Sequence, residues 1–331
     1  MAERTIYDIA EMAGVSASTV SRVINNKNGV RKETRERIAK LLQEYNYIPN
    51  ETARGLVNQS SRIIGILITD IRTTHHTDAV YYIERAFAKQ GYCCLILNTG
   101  MDPNDQTHYI QLLSQRKVDA AIFIGSIYQN EIIKEAAQTY LPSTPIVLFN
   151  GCLDAPNIYS IIADEEGGVR NCVKLLADKG RKKLGFIVNQ DTPSSRLKLS
   201  GFRLGMAMYC PDEPILVERV PPDEENAVAA TRRLLQAHPQ INGIIYSEDM
   251  LALGGLQAML EDQIRVPDQI SVIGINNSRY AQTSFPLMTS LDNMLYDLSE
   301  MAVHNLLQLL KGERVNQKVM LGTKIVERKT T

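Results

Sequence analysis

The stretch from Gly14 to Val23, GVSASTVSRV, concentrates hydrogen-bonding side chains on a short piece of chain. Hydroxyl groups stand at four of its ten positions: Ser16, Ser18, Thr19 and Ser21. Apolar side chains recur at helical spacing along the same segment: Val15, Val20, Val23 and Ile24. The pattern predicts a helix with one buried face and one face of short hydroxyls plus Arg22. Hydroxyls bond phosphate oxygens and arginine reads a guanine edge, so this face suits nucleic acid.

The segments around this stretch predict two further short helices. Thr5 lies three residues before an acidic residue, which is the spacing of a capping box, and Ser16 can cap the second helix. The second helix should end at about Ile24, and a third should begin at about Lys32. Three short helices with a glycine-containing turn are typical of a helix-turn-helix, whose second helix enters the major groove. A plain amphipathic helix pair is the alternative.

The net charge does not decide between these interpretations. The 331 residues hold 36 Lys+Arg and 37 Asp+Glu, which gives a formal net charge of −1. Residues 1–60 hold nine basic and seven acidic residues, whereas the remaining 271 hold 27 basic and 30 acidic residues. This asymmetry is too small to identify a DNA-binding domain, so the order of the residues has to do so.

Several classes of protein find no support in the sequence. The chain contains no apolar run long enough to span a membrane, and its start, MAERTIYDIAEMAG, lacks the apolar segment of a signal peptide. We therefore expect a cytoplasmic protein with no membrane partner. The five cysteines include no C-x-x-C pair, which favours reduced thiols over disulfides or a zinc site.

Beyond residue 62 the pattern changes to apolar strands that alternate with amphipathic helices. Seven strands are predicted: IIGILITD, CCLILNT, AAIFIGS, PIVLFNG, KLGFIVN, GIIYSED and ISVIGIN. This alternation predicts an α/β fold with parallel sheets, whose ligands bind beyond the carboxyl ends of the strands. The sequence lacks the glycine-rich nucleotide motifs and also G-x-S-x-G and H-E-x-x-H, so we expect no cofactor and no enzyme activity.

Three segments together resemble the headpiece and hinge of the lactose/galactose repressor (LacI/GalR) family: TIYDIAEMAGVSASTVSRVIN, ETRERIAKLLQEYNYIPN and ARGL. The resemblance implies a helix-turn-helix headpiece over 1–48 and a hinge helix and linker over 49–61. It implies an effector-binding and dimerisation core over 62–331, with two lobes like those of periplasmic sugar-binding proteins.

The resemblance also assigns DNA contacts. Ala17 and Ser18 occupy the position of the family's variable base-reading pair, Arg22 that of its base-contacting arginine, and Leu56 that of a leucine inserted between base pairs. The complete predicted set is Thr5, Ser16, Ala17, Ser18, Thr19, Ser21, Arg22, Asn25, Asn50, Ala53 and Leu56. A flexible linker is the alternative for NETARGLVNQS. Arg31 departs from the Ser or Thr that the family often places there as a helix cap.

For the effector, the resemblance points to residues that follow the strands. The predicted set is Asp70, Thr73, His75, His76, Ser126, Asn150, Arg196, Glu248 and Asn276. Arg196 matches a ligand-clamping arginine, whereas Asn150 and Asn276 stand where the family commonly has Asp. Turn residues without a ligand role are the alternative. Two adjacent histidines without a third spaced ligand do not indicate a metal.

These assignments predict a homodimeric transcription repressor that binds a pseudo-palindromic operator and responds to a small-molecule effector, a sugar or a sugar phosphate. The exchange of Asp for Asn around an arginine favours a ligand with a phosphate or carboxylate group. Whether the effector acts as inducer or corepressor stays open. A solute-binding protein of the same core fold is the alternative, and the headpiece argues against it.

Overall fold

The computed structural model describes residues 4–47, 60–221 and 223–331. The chain divides into two compact units, Met1–Ser61 and Arg62–Thr331. None of the helices in the described ranges is long and apolar enough to cross a membrane.

Three helices make up the first unit: α1 (Ile6–Ala13), α2 (Ala17–Ile24) and α3 (Lys32–Glu44). Thr5 caps α1 through the predicted capping box, in which Oδ2 of Asp8 accepts from the backbone N of Thr5 at 2.7 Å. Gly14 ends α1 with a φ of 61°, a left-handed conformation that glycine adopts without strain. The side chain of Ser16 caps α2. The predicted helices and both of these caps are therefore confirmed.

A small apolar core holds these helices together. Its fully or almost fully buried members come from all three helices: Ile9, Ala10, Ala13, Val20, Val23 and Ile38. Arg31 makes no side-chain hydrogen bond to the start of α3, as expected for a residue that lacks a capping oxygen.

The second unit contains two six-stranded sheets, with strands numbered in chain order along the unit. The first sheet has the spatial order β11-β5-β4-β3-β1-β2 and is parallel throughout. Its strands are β1 (Ile63–Ile68), β2 (Cys93–Asn98), β3 (Ala120–Ile124), β4 (Ile146–Phe149), β5 (Ile158–Ala163) and β11 (Lys318–Leu321). Four helices belong to this lobe: α4 (Thr74–Ala88), α5 (Pro103–Gln115), α6 (Glu131–Tyr140) and α12 (Leu295–Leu310).

The second sheet has the order β12-β10-β9-β8-β6-β7, with only the β10 and β12 pair antiparallel. Its strands are β6 (Leu184–Val188), β7 (Leu216–Arg219), β8 (Gly243–Tyr246), β9 (Ser271–Ile275), β10 (Thr289–Asp292) and β12 (Lys324–Val326). Its helices are α7 (Glu165–Asp178), α8 (Pro193–Tyr209), α9 (Glu224–Ala237), α10 (Asp249–Glu261) and α11 (Arg279–Thr283).

The chain passes between the two lobes three times, after β5, after β10 and after β11. The seven predicted strands are all present, as β1 to β4, β6, β8 and β9. Their apolar runs are buried between the helices on the two faces of each sheet, except that of the edge strand β2, which is partly buried or exposed. Parallel strands place all their carboxyl ends at one edge, so each lobe presents a row of strand-end loops to the other.

Candidate functional site

The polar face of α2 carries the side chains predicted to contact DNA. Ser16, Ser18 and Arg22 are exposed, and Ala17, Thr19, Ser21 and Asn25 are partly buried. Oγ of Ser16 lies 2.8 Å from Oγ of Ser18 and 2.9 Å from Oγ1 of Thr19.

At the end of α2, Nδ2 of Asn25 donates to the backbone O of Ser21 at 2.7 Å. The amide therefore fastens the last turn of the helix. Thr5 caps α1, as described above. Asn50, Ala53 and Leu56, predicted to form the hinge, lie outside the described residues.

A cleft of about 690 Å³ lies between the two lobes of the second unit. Eight of the nine residues predicted to bind an effector line it: Asp70, Thr73, His75, His76, Ser126, Asn150, Glu248 and Asn276. They come together because strand ends and the loops behind them face each other across the cleft. This volume suits a small polar molecule.

Arg196 is the predicted residue that the structure does not place in the cleft. Its side chain is 57% exposed, and Nη1 lies 3.2 Å from Oδ1 of Asp191. Helix α8 begins at Pro193, after the cap Thr192, and this start fixes which of its residues face inward. Arg196 follows the buried Ser195 by one position, which turns its side chain about 100° around the helix.

The buried cation that lines the cleft is Lys198, which was not predicted from the sequence. Its side chain is 7% exposed, its Nζ lies 3.4 Å from Oε1 of Glu165, and it donates to the backbone O of Ser247 at 3.2 Å. A signal was present in the sequence, because Lys198 lies four residues before the buried Phe202, on the core-facing stripe of α8.

Glu165 is the second cleft residue that the sequence did not reveal. It is the first residue of α7 and its side chain is 2% exposed. Its Oε1 also accepts from Nδ2 of Asn150 at 3.3 Å and from Nδ2 of Asn293 at 3.4 Å. These contacts join residues beside two of the crossings between the lobes. The strand β5 that precedes Glu165 was itself not predicted.

Two adjacent carboxylates follow β8. Oε1 of Glu248 accepts from Nδ2 of Asn189 at 2.6 Å, and burial raises the pKa of Glu248 above its usual range. Asp249 accepts from the backbone N and Oγ of Ser278 and from Oγ of Ser290, at 2.6 to 2.9 Å. Burial nevertheless raises the pKa of Asp249 to about 6.

The backbone conformation after β4 and after β9 favours asparagine at Asn150 and Asn276. Asn150 has a φ of 57° and Asn276 a φ of 103°, both in the positive range that few side chains other than those of Asn and Asp tolerate. Nδ2 of Asn293 donates to Oδ1 of Asn276 at 2.9 Å, which holds that amide toward the cleft.

The two histidines on the first-lobe wall are held neutral. Burial lowers the pKa of His75 to about 3, with His76 and Lys198 nearby adding to the effect. Burial also lowers the pKa of His76, whose Nδ1 lies 3.4 Å from Oγ1 of Thr69. Nδ1 of His75 is buried and has no hydrogen-bond partner among the described residues.

The charges around the cleft are mainly negative. Five carboxylate side chains line it: Asp70, Glu165, Asp223, Glu248 and Asp249. Two cationic side chains oppose them, and one of these, Arg72, is 87% exposed and paired with Asp70 at 2.6 Å. Within the described residues, no three His, Cys, Asp or Glu side chains are grouped so that they could hold a metal ion.

Two contacts bridge the lobes at the rim. The backbone N of Ser194 donates to Oγ of Ser126 at 3.1 Å, and Nη2 of Arg279 lies 3.2 Å from Oδ1 of Asp78. Asp78 belongs to α4 in the first lobe and Arg279 to α11 in the second. Both contacts favour a closed cleft.

Comparison with known proteins finds a matching family profile in each of the two units. The profile described as "Bacterial regulatory proteins, lacI family" matches residues 5–50, and the profile "Periplasmic binding protein-like domain" matches residues 173–331. An HTH-type transcriptional regulator of Lachnoclostridium phytofermentans is 32% identical, covering 98% of this chain and 99% of the relative. The HTH-type transcriptional repressor PurR of Aliivibrio salmonicida is 26% identical over 98% of each chain.

Solved structures share the fold over the whole length. The lac repressor dimer bound to operator and the anti-inducer ONPF matches with a TM-score of 0.91 and 25% identity, over 99% of each chain. A cellobiose complex of the transcriptional regulator CelR matches with a TM-score of 0.72 and 22% identity, over 99% of this chain and 100% of that one. The second likeness concerns the fold alone.

Proposed function

Because this chain belongs to the lacI family of bacterial regulatory proteins, we propose that it is a sequence-specific DNA-binding repressor whose affinity for its operator changes when a small effector occupies the cleft. The observation that carries the proposal is the cleft itself, where polar groups from both lobes converge beside the chain crossings that join them. A ligand that contacts both lobes biases how they close.

The headpiece supplies the proposed DNA contacts. Helix α2 presents its hydroxyls and Arg22 on an exposed face while its apolar face is buried against α1 and α3. Ala17, Ser18 and Arg22 would contact bases, and the remaining hydroxyls and Asn25 would bind phosphates. A kinked operator with Leu56 inserted between base pairs is proposed from the family resemblance alone.

We propose that the protein acts as a homodimer on a pseudo-palindromic site. The lac repressor, which matches this chain over its whole length, was solved as a dimer on its operator. Two identical headpieces related by a twofold axis require a site with matching symmetry. Because such a protein acts on DNA, we place it in the cytoplasm, and because its relatives are transcriptional regulators, we propose no catalytic role.

For the effector, we propose a hydroxyl-rich ligand without negative charge, which a sugar satisfies. The sequence-based preference for a phosphate or carboxylate depended on Arg196 facing the ligand, and that side chain lies outside the cleft. Five carboxylates against two cations would repel an anion. Carboxylate and amide oxygens, by contrast, accept hydrogen bonds from hydroxyl groups.

The test has two parts. The full chain should select one pseudo-palindromic sequence from a random DNA pool, and a sugar that raises its melting temperature should change its affinity for that sequence. A chain that begins at Arg62 should lose DNA binding and keep ligand binding, since the two units are compact separately. Binding of all DNA sequences alike would contradict the repressor proposal and leave the solute-binding alternative.

A further inference from the structure

We infer that the ligand of the cleft carries an ammonium group beside its hydroxyls and that the carboxylate of Glu248 binds this group. The inference rests on the proposed effector-binding function of the cleft. Some of the carboxylates that line the cleft have a cation or several hydrogen-bond donors beside them, and others do not.

Three of the five carboxylates that line the cleft are paired with a cation, hydrogen-bonded or exposed. Asp70 is paired with Arg72 at 2.6 Å, and Asp223 is exposed and caps α9. Asp249 accepts three hydrogen bonds and also lies in the favourable field of Arg328. These groups need no charge from a ligand.

The two remaining carboxylates share one cation. Nζ of Lys198 lies 3.4 Å from Oε1 of Glu165, and its positive charge also lowers the pKa of Glu248, so one cation serves two carboxylates. Glu248 accepts from the neutral amide of Asn189, and no other described side chain donates to it. Oγ of Ser195 donates to Oδ1 of Asn189 at 2.9 Å, so the NH₂ group of Asn189 is fixed toward Glu248.

The histidines on the opposite wall cannot supply the missing positive charge. Burial lowers the pKa of both His75 and His76, so they stay neutral near neutral pH. Glu165 and Glu248 together therefore carry one more negative charge than Lys198 offsets. Burying a charge without a full opposite charge is unfavourable, and burial raises the pKa of Glu248 despite the nearby Lys198.

An ammonium group on the ligand removes this imbalance. It forms a charge-assisted hydrogen bond with Glu248, while the ligand's hydroxyls meet the amides and hydroxyls around it. A neutral sugar leaves the charge of Glu248 uncompensated. A phosphate adds a second negative charge to the site. An amino sugar is the simplest molecule with both required features.

Calorimetric titration of the full chain near neutral pH tests this inference. The probes are three matched sets, namely glucose, galactose and mannose, the 2-amino-2-deoxy form of each, and the N-acetyl form, which keeps the substituent and removes the charge. In at least one set the amino sugar should bind about 10- to 100-fold tighter than both neutral forms. Glu248→Gln should bring that ratio close to one.

The matched control is Glu135→Gln, which removes the same charge from an exposed position on α6 that does not line the cleft. It should leave the ratio unchanged. The inference is wrong if the neutral sugars bind as tightly as the amino sugars in every set, if no probe binds, or if Glu248→Gln keeps the preference. Operator binding by the same preparation, with and without the tightest probe, shows separately whether the proposed function stands.

Discussion

Nζ of Lys198 lies 3.4 Å from Oε1 of Glu165, and neither side chain is more than 7% exposed. The lysine comes from α8 and the glutamate from the first position of α7, so the pair ties together two helices of the second lobe. Both residues line the cleft, and Glu165 also accepts from the amide of Asn150, which follows β4 of the first lobe. Substitution of either residue should therefore change both the stability of the second lobe and the lining of the cleft.

Lys198→Met should lower the free energy of unfolding by about 3 to 5 kcal/mol, because Glu165 would stay buried without an opposite charge. Adding Glu165→Gln to the same chain should recover most of this loss. Arg196→Met is the matched control, since that arginine is exposed and its ion pair is worth roughly 1 kcal/mol at most. Chemical denaturation measures all three. An equal loss with and without Glu165→Gln would show that volume, not charge, is responsible.

Arg279→Ala should weaken effector binding by less than about fivefold, because it removes an exposed ion pair that favours closure of the cleft. The matched control is Arg233→Ala, which breaks a pair with Glu218 inside the second lobe. Titration with the effector at low and high salt measures the effect, since salt screens exposed pairs. High salt should weaken binding by the wild type more than by Arg279→Ala. Identical affinities for wild type and both variants would contradict a role in closure.

Two buried groups should act on stability in opposite directions below pH 6.5. Burial raises the pKa of Asp249 from 3.8 to about 6, so its ionisation lowers stability as the pH rises between these values. Burial lowers the pKa of His75 from 6.5 to about 3, so the unfolded chain binds this proton more readily and stability falls on acidification.

Asp249→Asn should therefore steepen the loss of unfolding free energy between pH 6 and pH 4, and His75→Gln should reduce it. Each change in slope should reach about 1.4 kcal/mol per pH unit at most. Denaturant titrations at a series of pH values give the slopes. Curves parallel to that of the wild type would mean that neither residue changes its proton affinity on folding.

Arg22→Ala should reduce discrimination between operator and random DNA by about 1 to 3 kcal/mol per half-site, because the exposed guanidinium on α2 is proposed to read a base. Binding to random DNA should change little. Competition titrations with both DNAs measure the difference. If the two affinities fall together, Arg22 contacts a phosphate instead.

Local signals explain why the headpiece could be predicted. The capping box at Thr5, the left-handed Gly14 and the cap at Ser16 each act within a few residues, so their effect is readable in sequence. Seven of the strands were predictable for a similar reason, as long apolar runs. The strands that escaped prediction include β7 (LVER) and β10 (TSLD), which are short and contain charged residues.

The sequence by itself determined the three headpiece helices, the alternation of strands and helices, and eight residues of the cleft, because parallel strands bring their carboxyl ends to a common edge. Only the tertiary structure decided which cation enters the cleft, since the start of α8 turns Lys198 inward and Arg196 outward. The tertiary structure also decided which carboxylates have a cation beside them. Glu165 and Glu248 look alike in sequence, but Lys198 lies beside the first, and such distances between remote residues arise only on folding.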